Sequence, residues 1–184
     1  MRIDHPLNSI PGGKRLSAFL SLLVATIVLS LVFRFIGPYV PNIVDYEFAG
    51  SAGKASSIIN AWTGSGQLLR ASFNLGFDYL YMPVYSTTIA LACVWGAAVL
   101  SRKIWRGMGM LLAWGLWLAA IFDAIENYAL ITMLFGTVAD PYPLMAAACA
   151  TCKFSLIVLG LVYAAIAAVI SIIALVRSSG ARAR

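Results

Sequence analysis

The sequence predicts an all-α protein: a four-helix transmembrane bundle with both termini cytoplasmic and a short amphipathic helix in the outer loop between the first and second spans. Three observations carry this. Of 184 residues, 61% are hydrophobic and 11% charged, against roughly 45–50% and about 25% in a soluble domain. The apolar residues gather into four runs that meet the length of about 20 helical residues needed to cross a hydrocarbon core. Most Lys and Arg residues stand in short clusters at the ends of those runs, as membrane topology requires. The net charge of +6 therefore reads as topology and not as a nucleic-acid surface.

The first span covers residues 17–36, after a tail bearing Arg2, Lys14 and Arg15. Its apolar run exceeds the roughly 7–15 residues of a signal-peptide core, and the following "GPYVPN" offers no small-x-small cleavage site, so it reads as a retained helix. In the outer loop, residues 37–74, Pro38 and Pro41 stop that helix. "SAGKASSIINAW" then sets Ala55, Ile58, Ile59 and Trp62 at i, i+3, i+4 and i+7, the spacing of one apolar helical face. This helix is expected on the outer membrane surface with Trp62 at headgroup depth, or folded over the bundle as a lid. The second and third spans, residues 75–100 and 108–135, flank "SRKIWRG" with Arg102, Lys103 and Arg106. The fourth, residues 153–176, runs into Arg177, Arg182 and Arg184. Nine basic residues thus fall on the side of the termini, against Lys54, Arg70 and Lys153 opposite, which places both termini in the cytoplasm of a cell (inner or plasma) membrane. Residues 1–184 form one integral membrane domain.

Acids inside these spans mark the candidate site. A carboxylate at mid-bilayer costs about 2.5–3.5 kcal/mol even on translocon scales, so it faces the bundle interior, a partner or a cavity. In the third span, Asp123, Glu126 and Asn127 lie at i, i+3 and i+4 on one stripe that continues through Ala119 and Gly115. In the second, Asp78, Tyr81, Tyr85 and Thr88 share a face, and Pro83 interrupts the backbone ladder. Counting from the outer ends predicts two tiers. Asp78 pairs with Arg34 or Lys153 in the upper tier. Tyr81, Tyr85, Glu126, Asn127 and Asp123 meet below, with Tyr163 contributing from the fourth span. These residues form either a pocket for a lipid-like or amphipathic ligand, with Asp78, Asp123 and Glu126 binding it or carrying protons, or a structural cluster that fixes helix register. A lipid-modifying enzyme built on the two acids is a further alternative.

Gly160, Ala164 and Ala168 make a small-residue stripe suited to close packing within the bundle, a second copy or a membrane partner. Membrane lipid is the expected partner, and nucleic acid is not. Cys149 and Cys152 form a C-x-x-C, "CATC", at the expected start of the fourth span. With four core helices and a long first outer loop, this placement resembles the vitamin K epoxide reductase family. The resemblance implies thiol–disulfide exchange at Cys149 and Cys152. That family also carries a cysteine pair in the first outer loop, where residues 37–74 have none. The only histidine, His5, lies in the tail, so histidine metal sites and triads inside the bundle are excluded. No metal site or cofactor motif is expected.

Overall fold

The computed structural model describes residues 4–37, 40–100 and 102–182. Arg2, Arg184, Pro38, Tyr39 and Ser101, which enter the sequence reading, lie outside the described residues, as does the side chain of Arg182. A 3₁₀ turn at Pro6–Ser9 precedes six helices: α1 (Gly12–Ile36), α2 (Ile43–Glu47), α3 (Ala52–Gly64), α4 (Leu68–Val99), α5 (Lys103–Phe135) and α6 (Tyr142–Arg182). No strand occurs among the described residues. Four helices, α1, α4, α5 and α6, are long and apolar enough to cross a membrane.

All four outrun the apolar windows that announced them. α4 begins at Leu68, α5 at Lys103 and α6 at Tyr142, eleven residues before Lys153. The added segment of α6, about three turns, is "YPLMAAACATC", rich in alanine, the strongest helix former. Its small side chains let Ala146 and Ala150 pack to full burial. Hydropathy alone does not find such a segment, because alanine is only weakly apolar.

α4 is the hub. It packs against α5, α6 and α1, while α5 and α6 pack against each other. α1 differs from the rest: it packs mainly on α4 and none of its residues is buried. Two hydroxyl pairs join them, Thr26 Oγ1 to Thr88 Oγ1 at 2.8 Å and Ser30 Oγ to Tyr81 Oη at 3.1 Å. Phe33 meets the edges of Phe77 and Tyr81.

α2 and α3 cap one end of the bundle. Asn42 and Asp45 form a reciprocal capping box that starts α2, satisfying two otherwise orphaned N–H groups. Gly50 and Gly66, both at positive φ (67° and 69°), reverse the chain on either side of α3, a backbone region in which a Cβ is strained. The apolar face of α3 turns onto the protein and not onto the membrane surface. Trp62 is fully buried against Tyr46, and its Nε1 donates to the Pro41 carbonyl at 2.7 Å. The expected headgroup position of Trp62 is thus corrected: a protein carbonyl satisfies the indole N–H. Tyr46 Oη likewise donates to Leu130 O at 2.9 Å, tying α2 to α5.

At the opposite end the N-terminal segment is not a free tail. His5 is 2% exposed and sits between the rings of Trp114 and Trp117, at 4.7 and 4.5 Å. Trp114 Nε1 donates to Asp4 O at 3.0 Å, and Arg15 bonds back to Asn8 and Ile10. Nearby, Tyr163 Oη donates to Trp105 O at 2.9 Å. Tyr163 therefore serves this end and has no part in the acidic cluster, correcting its expected place. Gly96 lets α6 approach closely, since a Cβ there would come 2.7 Å from Ala167 Cβ.

Two predictions follow from these ends. Gly96→Ala forces α4 and α6 apart and lowers stability by about 1–3 kcal/mol, read as a fall in Tm in detergent. An unchanged Tm refutes the tight contact. Burial pushes the His5 imidazole below its ordinary value of 6.5, with Asp4 opposing. The released segment therefore takes up a proton before the docked one does. Docking is complete above pH 6.5 and weakens as pH falls through the lower folded value. Protease access to residues 4–9 should rise on acidification in the native protein, whereas His5→Phe should flatten that dependence.

Candidate functional site

The site forms just beneath the α2–α3 cap, where four helices each contribute polar groups. Asp123, Glu126 and Asn127 share one stripe of α5 and are 2%, 0% and 1% exposed. α4 brings Asp78 and Tyr85, α6 brings Lys153, and α2 adds Glu47 at its last position.

Lys153 is the centre of the cluster. Its Nζ donates to Asp123 Oδ1 at 2.8 Å and to Glu126 Oε1 at 2.9 Å, and it lies 3.7 Å from Glu47 Oε1. The first two are charge-assisted hydrogen bonds of ordinary length. The third distance is too long for one and leaves only an electrostatic contact. Tyr85 Oη donates to Asp123 Oδ2 at 2.8 Å, so both oxygens of Asp123 are engaged. Beside this network Asn127 Nδ2 donates to Asp78 Oδ2 at 2.7 Å. Glu47 Oε2 and Glu126 Oε2 are buried without a hydrogen-bond partner among the described residues. Burial pushes the Glu47 carboxyl, which stands outside the spans, above its ordinary value, while Lys153 pulls it back.

The geometry differs from the two-tier expectation in three places. Asp78 makes no salt bridge with Arg34 or Lys153; its partner is Asn127. Lys153 sits eleven residues into α6, about 17 Å below its start at about 1.5 Å per residue. That brings it level with Asp123 and Glu126 and below Asp78. Tyr81 turns to Ser30 of α1, although its ring stays 5.0 Å from that of Tyr85. Glu47 is the member of the cluster that helical spacing within the spans does not mark, because it stands outside them; only the start of its helix is signalled, in "NIVD", an N-cap Asn followed three residues later by Asp.

A large cavity, about 1290 Å³, opens from this cluster. It follows α4 from Asn74 to Val99, with α1 on one side and α6 on the other. One end holds Arg34, Asn42, Glu47, Asn74, Asp78, Asp123 and Lys153, whereas Ile157, Leu161, Ala164, Ala168 and Ile172 line the apolar remainder. Asp78, Tyr81, Tyr85 and Thr88 all line it. The small-residue stripe divides here. Gly160 packs inside the bundle, where a Cβ would come 2.6 Å from Leu116 Cδ2, while Ala164 and Ala168 face the cavity.

Cys149 and Cys152 are both free, one buried and the other exposed. They stand seven and ten residues beyond Tyr142, well past the first turn of α6. The helix N-terminus that would lower a thiol pKa acts only within that turn, so the expected redox placement is corrected. Among the described residues no group of three or more His, Cys, Asp and Glu side chains is arranged to hold a metal ion.

Removing one member of a buried ion pair costs about 3–5 kcal/mol, because its partners remain charged without compensation. Lys153→Met should therefore lower the detergent Tm sharply. Adding Asp123→Asn and Glu126→Gln should recover much of the loss, since the uncompensated carboxylates go with them. Equal stability of Lys153→Met and the native protein rules out a charged Lys153 at the centre of the bundle. No protein-family model, curated protein or solved structure matches this chain, and the site stands on its own geometry.

Proposed function

We propose that this multi-pass integral membrane protein holds one amphipathic, lipid-like molecule in the cleft between α1 and α6. The observation that carries the reading is the distribution of polar groups along the cavity. Charged side chains stand at one end only, and the rest is predominantly apolar, with Thr26, Thr88 and Ser171 among its few hydroxyls. From Asn74 to Val99 the cleft extends about 37 Å along α4 at about 1.5 Å per residue. One lipid chain fills about half of the roughly 30 Å hydrocarbon core, so the cleft has ample length for it. A head group at Asp78, Asp123 and Tyr85 would then leave its chain along Leu161, Ala164 and Ala168.

The excess of Lys and Arg at the termini and in the α4–α5 turn supports cytoplasmic termini in a cell membrane. In that orientation the polar end lies in the outer half of the bilayer, and α2–α3 covers it from outside. Asp78 and Asp123 are the acids that would bind the head, Glu126, fully buried and outside the cavity lining, would carry a proton behind them, and Asn127 holds Asp78 in place.

A second reading has its own support. Lys153 bonds to Asp123 and Glu126, and Tyr85 completes Asp123, so much of the cluster is satisfied internally. On that reading the cluster clamps helices in a structural or partner subunit and binds nothing.

Filling the cleft separates the two. Ala164→Trp together with Ala168→Trp blocks the apolar part without touching the ion cluster. The native protein, extracted in mild detergent, should carry one lipid-like molecule per chain by native mass spectrometry. The double variant should retain about tenfold less, a loss of about 1.4 kcal/mol. Identical lipid content in both, at equal Tm, leaves the structural reading.

A further inference from the structure

We infer that the polar end of the cleft takes a positively charged ammonium group, so that the amphipathic molecule is an amine-headed one; this rests on the cleft reading above. Charge balance is the first ground. Glu47, Asp78, Asp123 and Glu126 gather around a single buried cation, Lys153. Four carboxyls and one ammonium are unequal, so the excess carboxyls either hold protons or meet a second cation. Arg34 is the other cation lining the cavity. It lies exposed in the last turn of α1 and joins no salt bridge among the described residues.

The second ground is where the unmatched acceptors lie. Glu47 is 7% exposed and lines the cavity; its Oε1 stands 3.7 Å from Lys153, its carboxyl lies beside that of Glu126, and among the described residues no donor reaches its Oε2. Asp78 also lines the cavity, and among the described residues its one hydrogen bond, from Asn127, falls on Oδ2. Two of the three donors of Lys153 are committed to Asp123 and Glu126, and the ammonium comes no nearer to Glu47 than 3.7 Å. These acceptors await a donor, and an ammonium group supplies up to three along with the missing charge.

Aromatic surface is the third ground. Phe33 and Tyr81 line the same end of the cavity, and ring faces attract ammonium ions, most strongly when both are desolvated; Phe154 already lies under Lys153 Nζ, 5.0 Å from its ring centre. An anionic head would meet Glu47, Asp78 and Asp123 and be repelled. A hydroxyl head would gain hydrogen bonds but leave the charge unmatched.

Four probes test this on the full chain in nonionic detergent: hexadecylamine, hexadecanol, hexadecanoate and ethylamine, each titrated by thermal shift and native mass spectrometry. Hexadecylamine should bind at least about tenfold more tightly than hexadecanol, with hexadecanoate weakest. Glu47→Gln or Asp78→Asn should bring the ratio of hexadecylamine to hexadecanol affinity close to one. Asp78 is the less buried of the two, so Asp78→Asn decides the matter if Glu47→Gln lowers the Tm. Equal binding of all three long chains overturns the ammonium site and leaves the cleft. Binding by ethylamine as tight as by hexadecylamine keeps the ammonium site and removes the chain. Failure of every probe overturns both.

Discussion

The rest of the site depends on one constraint: Lys153 is buried in the middle of a membrane-spanning bundle and must be matched there. An unpaired ammonium in a low-dielectric interior costs several kcal/mol. Asp123 and Glu126 of α5 answer it at 2.8 and 2.9 Å. Tyr85 of α4 then fixes Asp123, and Glu47 of α2 stands at the edge of the same charge. Four elements are thereby placed by one side chain. The register of α5 against α6 and the seat of the cap both follow from where that ammonium sits. Hydrophobic burial cannot impose such a register, because lipid tails are as apolar as the helix faces they replace.

The four spans were legible from hydropathy because each crosses the threshold of about 20 apolar residues. The stripe of Asp123, Glu126 and Asn127 was legible from helical period alone. The depth of Lys153 was not. The apolar run has its edge at Lys153, yet α6 begins earlier, at Tyr142, in an alanine-rich stretch whose packing hydropathy does not register. That one displacement moved Lys153 from the upper tier to the lower and gave Asp78 the wrong partner. Trp62 and His5 were hidden for a related reason. Each lies in a short segment whose burial comes from tertiary contacts, with Tyr46 in one case and Trp114 and Trp117 in the other. The spacing of Ala55, Ile58 and Trp62 shows an apolar face but not which surface it meets, and nothing in the local pattern marks the contacts of His5.

α1 gives the cleft its openness. It buries no residue and meets α4 through two hydroxyl pairs and a few ring edges. Interhelical hydrogen bonds of this kind average about 0.6 kcal/mol in a bilayer. The wall formed by α1 is therefore the least firmly held, while α4, α5 and α6 are locked together around Lys153. A rigid polar end beside a loosely held wall suits sideways entry from the lipid phase.

On the proposed reading, sideways entry would also decide where selectivity resides. A chain that leaves the bilayer for the cleft exchanges one apolar surface for another, and the hydrophobic term nearly cancels. Packing along Leu161, Ala164 and Ala168 tolerates any flexible chain of suitable width. Discrimination falls to the polar end, where Glu47, Asp78 and Asp123 meet Tyr85 and Lys153 out of bulk water. Low dielectric strengthens each interaction there and makes each unmatched group expensive. On the proposed reading, the same acids that are costly in an apolar helix are the groups that would tell one lipid from another.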